Sequence, residues 1–313
     1  MAKESFGVVR SVNISVAKGT VKQPVPKIVL FDRGVEGDAH SGAWHRMVSL
    51  LGVESYEKFS IEAGRSFKYG DFAENITTEG LLLYETAPFD RLQIGDALLE
   101  VTQIGKKCHG KGCAIFNEVG NCVMPKEGIF ARVLQGGNVA AGDPITYIPK
   151  VFKVNVITLS DRASRGEYDD LSGPELVRLL TEFFTSNGWK ADIVRHIIPD
   201  DAIRLEHMLS DARQGQIDLV MTTGGTGIGP RDISPDVARR MIDKEIPGIM
   251  EHIRQKFGQQ KPQALVSRSI CGTMDQTLLF VLPGSVRAVQ EYMEEISKSL
   301  RHLFFMLKGI DLH

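Results

Sequence analysis

The chain has 313 residues, 42% hydrophobic and 24% charged, with a formal net charge of −2. That is room for two globular domains, and the charge excludes a general nucleic-acid binder, which carries a basic excess. No apolar run approaches the ~20 residues of a membrane span, no apolar signal core follows Lys3, and four cysteines make no disulfide framework, so reduced thiols and a cytoplasmic location are expected.

To about residue 149 the chain reads as mostly strand. Residues 8–16 alternate near the strand period, and 26–31 make a short apolar strand. The main helix expected here covers 46–59, with Met47, Leu50, Leu51 and Phe59 near one face. Strand signals return at 74–77, 92–94, 97–101 and 145–148, and Gly95-Asp96 and Gly142-Asp143 mark turns. Many short strands with little helix predict a mostly-β barrel. At Ile148-Pro149-Lys150 the texture changes, so the expected domains are 1–149 and 150–313.

Beyond that boundary, apolar strands alternate with amphipathic helices. Strands are expected at 151–159, 193–198, 217–221 and 277–282. Helices are expected after Gly173-Pro174 and over 202–212, 236–244, 249–257 and 285–307. This alternation predicts a three-layer α/β domain with a mainly parallel sheet, whose ligands bind at the carboxyl ends of the strands.

The stretch Thr222-Thr223-Gly224-Gly225-Thr226-Gly227-Ile228-Gly229-Pro230-Arg231-Asp232 leaves one of those strands and enters a helix. Glycines let the backbone approach a phosphate, and the N–H groups of such a turn are donors. Arg231 adds a planar cation. Asp232 is a carboxylate beside phosphates, which calls for a divalent metal between them. The spacing matches neither common phosphate loop. A turn that only reverses the chain needs no two Thr, Arg and Asp. Other strand ends carry Ser160-Asp161-Arg162-Ala163-Ser164, Pro199-Asp200-Asp201 and Pro283-Gly284-Ser285. Each also reads as a helix cap, Asp200 or Asp201 for one helix and Ser285 for the last.

These motifs, with Ser234-Pro235-Asp236 and Ile246-Pro247-Gly248, occur in an order that resembles the molybdopterin adenylyltransferase family across nearly all of residues 151–308. The resemblance implies transfer of AMP from Mg-ATP to the terminal phosphate of molybdopterin. It implies Asp200 and Asp232 as catalytic residues and Mg²⁺ ligands. Ser160, Asp161, Thr223, Gly224, Gly225, Thr226, Gly227 and Arg231 are then candidate ligand-binding residues, as are Pro283, Gly284 and Ser285, with Ser285 near the pterin. Met274 stands where many members carry an arginine.

In the first half, Gly37-Asp38-Ala39-His40-Ser41-Gly42 lies near Trp44-His45-Arg46, and Cys108 has Lys106, Lys107, His109 and Lys111 as neighbours. Nearby cations favour a thiolate, so Cys108 reads as a reactive thiol or as an inert buried one. Metal binding by Cys108, His109, Cys113 and Cys122 lacks a C-x-x-C pair. Residues 7–16, the Gly37–Gly42 motif, Gly70-Asp71-Phe72-Ala73-Glu74-Asn75 and residues 101–108 resemble a MOSC domain, over about 6–148. That implies a barrel that binds the molybdenum cofactor or carries sulfur to it on Cys108.

Both halves thus point to molybdenum cofactor biosynthesis. The expected partners are ATP, molybdopterin, other proteins of that biosynthesis and acceptor molybdoenzymes, with no nucleic acid and no membrane. The resemblance implies a homo-oligomer, a trimer through the second domain. Two further readings are a non-catalytic cofactor carrier, which Met274 favours and Asp200 with Asp232 oppose, and an unrelated nucleotide-binding regulator.

Overall fold

The computed structural model describes residues 5–107 and 122–311. Packing divides the chain into two units: one runs to Lys150 and includes Ile310 and Asp311, and the other is Val151–Gly309.

The first unit contains β1 (Ser5–Ile14), β2 (Gln23–Val25), β3 (Lys27–Phe31), β4 (Gly34–Val35), β5 (Val48–Gly52) and α1 (Val53–Ala63). There follow β6 (Ile76–Glu79), β7 (Arg91–Ile94), β8 (Ala97–Ile104), α2 (Met124–Glu127), β9 (Ile129–Gln135), β10 (Gly137–Ala140) and β11 (Pro144–Ile148). Because β1 pairs with both β6 and β11, the order β1-β11-β7-β8-β9-β5-β6 closes on itself as a barrel. Closure satisfies strand edges that would otherwise pair with other chains. Period-two alternation turns Leu92 and Ile94, Leu99 and Val101, and Ile129 and Ala131 into one core.

The helix expected over 46–59 is a strand followed by a helix. Leu50 packs in the barrel core, whereas Leu51 packs in a second cluster with Tyr56, Phe59 and Phe72. Neighbouring residues buried on opposite sides belong to a strand covered on both faces, and an unbroken apolar run does not reveal this by its spacing. The helix begins only after Gly52.

The second unit contains β12 (Val151–Leu159), α3 (Asp161–Ser164), α4 (Ser172–Ser186), β13 (Lys190–Ile198), α5 (Ala202–Gln214), β14 (Leu219–Thr223) and α6 (Ser234–Met241). It continues with β15 (Lys244–Glu245), α7 (Pro247–Gly258), β16 (Cys271–Met274), β17 (Thr277–Leu282) and α8 (Val286–Leu307). The sheet order is β13-β12-β14-β17-β16-β15. Its first four strands are parallel, and β16 and β15 are antiparallel additions.

Alternation along β12 sends Ile157 and Leu159 to one face, where they join Leu205 and Leu209 of α5 and Val237 of α6. Phe152 packs on Phe184 of α4, Trp189 and Phe304 of α8, with ring centroids 5.2, 4.9 and 4.9 Å away. Val289, Met293, Ile296, Leu300 and Phe304 make the buried stripe of α8 at helical spacing. Helices therefore cover both faces of the sheet. From β12 the chain goes to β13 on one side and then to β14 on the other. This makes a topological switch point, where a crevice opens at the carboxyl ends.

Candidate functional site

At that switch point lies a cavity of about 630 Å³. It is lined by the end of β12, the loop after β13, the glycine loop after β14 and Gly284 after β17. The β14 strand is buried throughout, so the loop leaves a rigid base. Gly224 has φ +104°, and a Cβ there would stand 2.3 Å from the carbonyl oxygen of Leu159. Gly225, at φ +64°, would bring a Cβ to 2.5 Å from Ser234 Oγ. Neither position accommodates a side chain. Ser234 at the start of α6 donates its hydroxyl to Gly224 O at 2.9 Å and its N–H to Gly225 O at 3.2 Å. Thr223 donates to Pro283 O at 2.9 Å, tying the loop to the end of β17.

Of the four aspartates that line the cavity, Asp161, Asp200 and Asp232 follow three different strand ends. Asp161 and Asp200 are joined reciprocally: the Asp161 N–H donates to Asp200 Oδ2 and the Asp200 N–H to Asp161 Oδ1, both at 3.1 Å. Asp201, not Asp200, caps α5, accepting from Ile203 N–H at 2.9 Å and Arg204 N–H at 3.1 Å. That leaves Asp200 available to the cavity. Burial pushes the Asp200 carboxyl up, and the charges of Asp161 and Asp232 push the same way. Asp232 Oδ2 accepts the Gly229 N–H at 2.8 Å. Arg231 grips Asp161 with its fork, Nε to Oδ2 at 3.0 Å and the terminal nitrogen to Oδ1 at 2.7 Å. This bond, followed by the Asp200 N–H, holds the Asp161 carboxyl below its ordinary value. Ser160 caps α3, its hydroxyl accepting from Ala163 N–H at 3.2 Å.

Among the described residues no group of three or more His, Cys, Asp or Glu side chains is placed to hold a metal ion. A magnesium ion shared with phosphates needs only one or two carboxylates. Asp200 and Asp232 fit that requirement, since the Asp232 carboxylate raises the cost of charging Asp200 and a bound cation would relieve it.

Sequence reasoning did not single out Arg268, which sits between α7 and β16. Its backbone N–H donates to Thr226 O at 2.9 Å and its Nε to Gly227 O at 2.7 Å. One terminal nitrogen binds both Asp236 oxygens at 2.9 Å, and the other donates to Asp232 O. A lone arginine 36 residues after Asp232 gives no local signal of this brace. Asp170 was missed too; only 2% exposed, it accepts from Thr158 Oγ1 at 2.7 Å and Gly173 N–H at 3.0 Å and lines the same cavity.

Ser160, Asp161, Asp200, Thr223, Gly224, Gly225, Thr226, Gly227, Arg231, Asp232 and Gly284 share the cavity. Pro283 and Ser285 line a separate one of about 320 Å³ with Lys261, Arg287 and Tyr292. Ser285 caps α8, accepting from Ala288 N–H at 3.2 Å. Met274 is fully buried in the apolar core cluster with Ile270 and Leu279 and does not line the cavity.

In the first unit, Cys108, His109 and Cys113 lie outside the described residues, and Cys122 is buried beside Met124 and Phe130. Asp38 of the Gly37–Gly42 motif forms a buried ion pair with Lys22 at 2.5 Å, each 1% exposed. Burial raises the Asp38 carboxyl, yet the bonds from His40, Lys22 and the backbone N–H groups of Ser15 and His40 outweigh it and leave it well below its usual range. Asp38 is therefore a buried counter-ion. Nearby, the Arg46 guanidinium lies 4.7 Å from the Trp44 ring centroid and Lys106 Nζ 5.8 Å from that of Phe130.

Residues 155–302 match the model of a family described as probable molybdopterin binding domain, and residues 37–146 match the MOSC domain. A molybdopterin adenylyltransferase of Helicobacter pylori is 31% identical over 157 residues, covering 50% of this chain and 88% of the relative. The Escherichia coli protein of the same name is 33% identical over 145 residues, covering 46% and 73%. Gephyrin of Dictyostelium discoideum is 33% identical over 161 residues; half of this chain matches 22% of that longer protein.

Proposed function

Since the chain belongs to the molybdopterin adenylyltransferase family, we propose that its second unit transfers AMP from Mg-ATP to the terminal phosphate of molybdopterin. An oxygen of that phosphate attacks the α-phosphorus of ATP, the bond to the β-phosphate oxygen breaks, and pyrophosphate leaves. No side-chain nucleophile is needed, because the attacking atom belongs to the substrate.

The observation that carries this reading is the meeting of Asp200, Asp232, Arg231 and the glycine loop in one cavity. Arg231 and the loop N–H groups bind phosphate oxygens, which gather negative charge as the attack proceeds. Asp200 and Asp232 would hold Mg²⁺, which when bound offsets that charge. The Asp161–Asp200 bonds orient one carboxylate, and Arg268 holds the loop that carries the other. The first unit binds the cofactor or carries sulfur to it through Cys108. A trimer formed through the second unit, in the cytoplasm, completes the reading.

The test is incubation of the full chain with molybdopterin, ATP and Mg²⁺, followed by detection of adenylylated pterin. Product from the wild type that drops at least a hundredfold in Asp232→Asn supports the proposal, a loss of roughly 3 kcal/mol in transition-state stabilisation. No product from the wild type, or undiminished product from the variant, would sink it.

A further inference from the structure

Arg231 and Asp161 are held unequally. Asp161 is anchored by its reciprocal bonds with Asp200 and is 26% exposed. The Arg231 side chain is 64% exposed, projects from the glycine loop and contacts Asp161 with two nitrogens. A guanidinium fork that accepts two carboxylate oxygens accepts two phosphate oxygens with the same geometry. The carboxylate thus occupies the donors best suited to a phosphate, inside the cavity that also holds the glycine loop.

We propose that Asp161 is an internal competitor for the polyphosphate of the nucleotide, and that binding exchanges the Arg231–carboxylate pair for an Arg231–phosphate pair. The inference rests on reading this cavity as a phosphate site. Arg231 is the moving partner, because its side chain is the exposed one, while Asp161 stays fixed to Asp200. The exchange lowers affinity for free polyphosphate, since the pair must first open. It also leaves the Asp161 charge beside Asp200 and Asp232, where the incoming anion meets it. The opposing cost weakens, without abolishing, the binding of polyphosphate that arrives without a compensating cation.

The probe is inorganic tripolyphosphate, titrated by calorimetry into the full chain in the presence of a chelator. Four proteins are compared: wild type, Asp161→Asn, Arg231→Gln and the double variant. Asparagine keeps an Oδ1 acceptor for the Asp200 N–H, and an unchanged melting temperature checks that the fold is kept. Asp161→Asn is expected to bind about tenfold more tightly than wild type, combining release of the fork with removal of a like charge. With Arg231 already replaced, the same change is expected to gain about threefold or less, from charge alone. An equal gain in both backgrounds, or weaker binding by Asp161→Asn, overturns the exchange. No binding by the wild type while AMP transfer is intact overturns the exchange alone. No binding together with no AMP transfer overturns the phosphate-site reading as well.

Discussion

Replacing Arg268 with alanine asks whether the glycine loop needs a brace from outside itself. The substitution removes a charged donor from Gly227 O at 2.7 Å and another from Asp232 O, and it breaks the pair with Asp236. A hydrogen bond assisted by charge contributes about 1.5 kcal/mol or somewhat more. The Asp236 partner is half-exposed, so that pair adds under about 1 kcal/mol. Together the loss is about 3 kcal/mol, falling on the segment that carries Thr226, Gly227 and Asp232. If it appears as disorder of the loop in the transition state, kcat/KM for AMP transfer drops about a hundredfold. The backbone bond from Arg268 N–H to Thr226 O survives the substitution; a loss of about 3 kcal/mol that reached global unfolding would lower the melting temperature by about 6–12 °C, and a smaller drop means that the loop loosens locally. Lysine restores the charge but not the fork, and its activity should fall between the two. Steady-state kinetics on all three proteins, with scanning calorimetry, separates loop order from global stability. An alanine variant within threefold of wild-type kcat/KM would refute the brace.

The role of Cys108 is tested by Cys108→Ser: cofactor binding and sulfur transfer are expected to fall at least tenfold, and a variant that does both normally removes the thiol from the mechanism. Glu295 on α8, only 5% exposed, is held down to about 2 from 4.5 by bonds from Lys256 and Lys298, with His252 adding to them. A depressed carboxylate contributes stability in full above its unfolded value and loses it as pH falls toward the folded one. The melting temperature of wild type should therefore fall more steeply than that of Glu295→Gln between pH 4.5 and about 2, and parallel curves would show that the network adds nothing.

Patterning of apolar residues was enough to separate a strand-rich first half from an α/β second half, because burial repeats every two residues in strands and every three to four in helices. The glycine loop was legible for a local reason: strand, glycine turn and helix are contiguous in the chain, and a Cβ at Gly224 or Gly225 would collide with Leu159 O or Ser234 Oγ. Local pattern failed at residues 46–59, where an apolar run fits a helix face and a strand covered on both sides equally well. It also could not choose between Asp200 and Asp201 as the cap of α5, a choice made by the turn of the chain that aims Asp200 at Asp161. Ser285 shows the opposite limit: the strand ends converge, yet its side chain caps α8 and faces a different cavity. Met274 drew notice by its position, and the fold places it in the core. The Arg268 brace and the Arg231–Asp161 pair join residues 36 and 70 positions apart. No sequence period spans such gaps, so tertiary packing alone decides which carboxylate each guanidinium meets.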